Sequence, residues 1–124
     1  MRALAQLDNV VVKLGGLQMP VNGFGFGPSG AARPPTSSEI AAQTFDFYAF
    51  VIRAFGPRRC MFESNFPVDR WGTSYRALWN AFKRIAWDVR LGLSDEDRDA
   101  LFHGTAKRVY NICGGAGEGA SSEE

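Results

Sequence analysis

The sequence predicts an α/β protein, and three features carry that reading. Val10 to Leu14 is a short, continuously apolar, β-branched run of the kind found in parallel strands. Cys60 to Phe62 is a second apolar run, which breaks into Glu63, Ser64, Asn65 and Asp69 around Pro67. Between them lies one long amphipathic segment, opened by Thr36-x-x-Glu39 and closed by Gly56-Pro57. One helix between two strands implies a parallel pair joined by a right-handed crossover.

Taken in order, Arg2 to Leu7 reads as the last turns of a helix, punctuated by Asp8-Asn9. The strand Val10 to Leu14 stops at Gly15-Gly16. Leu17 to Pro35 is a long loop with a Gly-Phe-Gly-Phe-Gly run at Gly23 to Gly27. No Lys-Ser/Thr closes that run, so it is no phosphate cradle. It reads as a mobile lid presenting Phe24 and Phe26, because loops of this length in compact domains tend to bind or cover something. The capping box then starts a helix to about Phe55, with Ile40, Thr44, Phe47, Tyr48, Val51 and Phe55 on one face. Arg58-Arg59 is expected as a solvated turn before the second strand. Pro67 has no N–H for a ladder and fixes where that strand stops.

A further helix is predicted over about Ser74 to Arg90, with Tyr75, Leu78, Trp79, Phe82, Ile85, Ala86 and Val89 as its apolar stripe. Ser94-x-x-Asp97 caps a third helix to about His103, and Thr105 to Ile112 forms a last one. His103, beside Gly104, is read as a helix C-terminal cap favouring the dipole. Residues 1–113 are expected as one domain, and the Gly/Ser/Glu-rich 114–124 as a disordered tail.

Lys and Arg number 14 against 13 Asp and Glu, so the balance gives no electrostatic case for nucleic acid or an anionic membrane. No apolar run approaches the roughly 18 residues of a membrane span. The two cysteines, Cys60 and Cys113, are too few for a disulfide framework or a zinc-ligand set. Two buried thiols in a reducing, cytoplasmic setting is the expectation, with a disulfide between them left open.

Side chains alternate along a strand, so Met61, Glu63 and Asn65 share one face and Cys60, Phe62 and Ser64 the other. Val11, Lys13 and Gly15 likewise share a face. An unpaired buried charge costs several kcal/mol, so two arrangements stand open. Lys13 and Glu63 either pair at the floor of a site, or both lie at strand ends and reach water.

Phe62-Glu63-Ser64-Asn65-Phe66-Pro67-Val68-Asp69 resembles the final strand of the amidohydrolase-related family of TIM-barrel, metal-dependent hydrolases and lactonases. Asn9 to Gly16 and Leu101 to Tyr110 agree with it, so the resemblance spans roughly residues 2–112. It implies the carboxyl-terminal portion of a TIM (β/α)8 barrel, and the barrel is incomplete because such barrels need about 200–250 residues. Two strands cannot close a barrel. The chain is therefore expected as a truncated product or half of an assembly that self-associates or takes up a complementary barrel segment.

The resemblance implies a hydrolase opening C–O or C–N bonds of a small carboxylated or cyclic substrate. The alternative is a non-catalytic fragment or partner-binding remnant. Asn65 departs from the family, which commonly carries Asp there to accept a proton from the attacking water or to bind metal. Asn is neutral and cannot act as a base. Asn65 is then expected to orient substrate or water, with the base role passing to Glu63 or Asp69. Asp69 has a second reading, as a cap of the helix after Trp71-Gly72-Thr73. Lys13, Phe24 and Phe26 are the candidate substrate contacts. Family metal sites use several histidines, and His103 is the single histidine here. No metal ligand is assigned to this chain, and a divalent metal belongs to the complete barrel.

Overall fold

The computed structural model describes residues 1–26 and 33–112. The expected tail, Cys113 and Gly27 lie outside these. Two strands, β1 (Val12–Leu14) and β2 (Cys60–Phe62), pair in parallel, with Val12 opposite Cys60, Lys13 opposite Met61 and Leu14 opposite Phe62. The helices are α1 (Arg2–Ala5), α2 (Ser37–Phe55), α3 (Tyr75–Ala86), α4 (Asp95–Asp99) and α5 (Thr105–Val109). The parallel α/β arrangement is as predicted. β1 begins two residues later than expected, because Val10 N–H is spent on a turn to Leu7 O.

Leu14, Cys60 and Phe62 turn toward the helices and join Tyr48, Ile52, Phe82, Ile85 and Leu101 in one core. Phe82 is its centre. Its ring stacks on Phe62 at 4.5 Å and meets Tyr48 and Trp79 edge-on at 5.8 and 5.5 Å. Burial holds the Cys60 thiol at a pKa of about 11, so it is a core side chain rather than a nucleophile.

The capping box of α2 forms as read: Thr36 Oγ1 accepts from Glu39 N–H, and Glu39 accepts from Thr36 N–H at 2.8 Å. Thr44 is tolerated inside the helix layer because its hydroxyl donates to Ile40 O. Of the expected apolar face Ile40, Thr44, Tyr48 and Phe55 are buried, and only its flank differs. Phe45, Ala49 and Ile52 point inward, whereas Phe47 is 57% exposed and Val51 is half-buried. The helix carries apolar residues on more than one face, so periodicity alone picked a mixture of the two.

Other boundaries differ for local reasons. α3 stops at Ala86, and Asp88 then folds its carboxylate onto Arg90 N–H and guanidinium, leaving Val89 91% exposed. Residues Asp95–Val109 run on through a π-helical stretch, Ala100–Gly104. Gly104 keeps helical backbone (φ −61°). His103 is therefore mid-helix and faces Asp99 at 3.7 Å, not a C-terminal cap. Arg59 is no solvated turn residue: it donates to Phe55 O, Leu7 O and Ala5 O, tying α1 to the end of α2. Phe26 is buried against Ile40 and Ala81, and Phe24 stacks on it at 5.7 Å. These two rings pack on the helix layer, where the sequence predicts that a mobile lid presents them.

The cap of α2 gives a pH test. Arg33, then Thr36, holds the Glu39 carboxyl at a pKa of about 2, below its ordinary 4.5. A depressed carboxylate contributes stability that is present above the unfolded pKa and lost as pH falls toward the folded one. Glu39→Gln should thus flatten the fall in melting temperature between pH 5 and about 2. An unchanged slope would show that the pair contributes nothing.

Candidate functional site at the strand rim

Beyond Phe62 the chain leaves the sheet through Glu63, Ser64 and Asn65, and Pro67 prevents further pairing. Asn65 takes left-handed backbone (φ 52°), which asparagine tolerates better than most residues. That turn brings Asp69 back beneath Asn65, in the 3-10 turn Val68–Trp71. Asp69 N–H donates to Asn65 O at 3.1 Å, and Asn65 Nδ2 donates to Asp69 Oδ1 at 2.8 Å.

Asp69 is fully buried. It does not cap α3, which is capped by Ser74 accepting from Ala77 N–H. Burial pushes its pKa up, against Asn65 and the nearby Gln18 and Gly16 peptides, which favour the anion. Its Oδ2 has no well-formed hydrogen bond among the described residues, nor do the buried Tyr48 hydroxyl and Gln18 amide beside it. Burial, and after it the Asp69 charge, pushes the Tyr48 phenol upward.

Lys13 and Glu63 form an ion pair at 3.1 Å on the strand face away from the helices. The two open arrangements are thus both partly realised, since the side chains are paired and also 49% and 29% exposed. Glu63, first, holds the Lys13 pKa above its usual value. Gly15 makes room for the pair: a Cβ there would lie 2.4 Å from Glu63 Cγ. Gly72 does the same for the loop, since a Cβ would lie 2.3 Å from Gln18 O. Sequence reasoning took Gly15-Gly16 only as a strand end and passed over Gln18 and Gly72. The doubled glycine after a strand was the one available signal; a lone loop glutamine gives none.

The structure brings Lys13, Glu63, Asn65 and Asp69 together at the carboxyl ends of both strands. Phe24 and Phe26 belong to the helix layer, with Phe24 also edge-on to Phe47 at 5.3 Å. Among the described residues no three His, Cys, Asp or Glu side chains converge. The two rim carboxylates are engaged by Lys13 and Asn65, so these residues by themselves do not fit a metal centre.

A parallel strand pair with polar residues gathered at its carboxyl ends is an α/β arrangement, and that end of the strands is where sites in such folds are built. A model of the amidohydrolase family matches residues 1–112, and the chain belongs to that family. It is 41% identical over 112 residues to "Uncharacterized protein y4mH" of Sinorhizobium fredii, covering 90% of this chain and 31% of that protein. Crystal structures of an amidohydrolase from Burkholderia multivorans, one with bound zinc and one with bound HEPES, are similar at a TM-score of 0.68 and 32% identity. They cover 90% of this chain and 35% of theirs. The chain thus spans about a third of the length of the relatives it matches.

Proposed function

We propose that this chain is the carboxyl-terminal portion of a TIM-barrel hydrolase of the amidohydrolase or lactonase type. It supplies one wall of a site where water opens a C–O or C–N bond in a small carboxylated or cyclic substrate. The observation that carries the reading is the convergence of Glu63, Asn65 and Asp69, with Lys13, at the carboxyl ends of parallel strands. Glu63 is the carboxylate that water reaches, and it takes the base role. Asn65 orients water or substrate at the rim. Lys13 holds the Glu63 charge in place and offers a cation to a substrate carboxylate.

The rest of the barrel enters as a complementary segment. A groove of about 580 Å³, lined by Met1, Val12, Leu17, Phe47, Phe50 and Val51, supports this. It accounts for the second apolar face of α2, which the described residues leave bare. No helix among them is long and apolar enough to cross a membrane. With near-neutral charge, the reading is a cytoplasmic protein acting on small molecules.

The test is to co-express this chain with the part of the Sinorhizobium relative that it does not match and screen lactones and amides of small carboxylic acids. The expected result is a complex that hydrolyses a member of the panel while neither part does alone. A stable complex without turnover would overturn the hydrolase reading and leave a partner-binding remnant.

A further inference from the structure

A carboxylate only accepts hydrogen bonds, so its position dictates which end of a neighbouring carboxamide turns toward it. Asp69 is held from several sides. Its own N–H is bonded to Asn65 O, its carbonyl accepts from Gly72 and Thr73 N–H, and its side chain is fully buried. Against that fixed acceptor Asn65 has one orientation, with Nδ2 inward. Gly16, beside Nδ2, leaves room for it: even a Cβ there would stand 3.6 Å away. Asn65 Oδ1 takes no partner among the described residues, and Asn65 itself is partly exposed.

We propose that Asp69 is a positioning residue that locks the Asn65 carboxamide with Oδ1 toward the rim. That point of the site then receives a hydrogen-bond donor, a water O–H or a substrate N–H or O–H, and turns away a bare carboxylate oxygen. This deepens the hydrolase reading and rests on it for the word substrate. The lock itself is a property of this chain alone.

Replacing Asn65 by Asp sets two carboxylates at hydrogen-bond distance, and like charges so close raise at least one pKa. The shared proton is present at low pH and lost as pH rises through the raised folded value, so the cost appears on the alkaline side. Other titratable groups facing the pair are Glu63, from the end of β2, and Tyr48, from α2. Glu63 adds to the repulsion, and Tyr48 stays neutral throughout.

The experiment uses the full chain at fixed concentration. Asn65→Asp should lower the melting temperature by roughly 5–15 °C at pH 8, and by less than half of that at pH 4.5. The double variant Asn65→Asp/Asp69→Asn restores a carboxylate facing an amide and should recover to within about 3 °C of wild type. Asp69→Asn alone keeps shape and lets either end of Asn65 turn inward. The Asn65 side-chain ¹⁵N–¹H pair, single and sharp in wild type, should then split or broaden. Wild-type melting of Asn65→Asp at pH 8, no rescue in the double variant, or an unchanged Asn65 amide signal in Asp69→Asn would each overturn the proposal. None of these readouts needs a substrate, so failure of the hydrolase reading is seen separately.

Discussion

Phe82→Ala is expected to remove about 3–5 kcal/mol of stability, enough to unfold a domain of this size at moderate temperature. Phe82 has no exposed surface, and its ring touches an aromatic from each neighbouring layer. Truncation leaves a cavity that those rings cannot close, because Phe62 is fixed by the strand pairing and Tyr48 by α2. Phe82→Leu keeps most of the volume and should cost well under half as much. Denaturant titration of both variants checks this. Equal midpoints for Phe82→Ala and wild type would mean that the core is organised around something else.

Glu63→Gln in the complemented barrel should lower kcat by about 10²–10⁴-fold, the usual cost of losing a general base. The amide keeps the size of Glu63 and a hydrogen-bond acceptor for Lys13, so the tight packing at Gly15 survives while the proton acceptor is lost. Asn65→Gly tests the orienting role, since glycine accepts the left-handed backbone at that position. It should lower kcat at a temperature where the variant stays folded, and melting is followed alongside because Asp69 loses its side-chain donor. The two variants are read as kcat and KM across pH on one hydrolysed substrate. Wild-type turnover by both would take this strand end out of the mechanism.

Much of the scaffold was written locally. Both helix-opening boxes, Thr36-x-x-Glu39 and Ser94-x-x-Asp97, form as the spacing says, because a cap involves residues three apart and little else. The parallel pair followed from one helix between two apolar runs. The buried face of α2 followed at Ile40, Thr44, Tyr48 and Phe55, but its flank did not, since Phe45, Phe47, Phe50 and Ile52 are all apolar and only the position of α3 and the sheet chooses among them. The continuous helix through Gly104 was hidden for a similar reason: glycine permits a stop without demanding one.

At the rim the sequence by itself determined the chemical types: one amide, two carboxylates and one lysine near two strand ends, marked by Pro67 and by the end of an apolar run. Alternation along the strands also put Glu63 and Asn65 on one face. Only the tertiary structure decided their roles. The left-handed turn at Asn65 carries Asp69 inward, where burial removes it from water, and the β1–β2 register brings Lys13 within 3.1 Å of Glu63. Proximity between residues fifty apart depends on how the crossover helix seats the strands, and no local spacing encodes that distance.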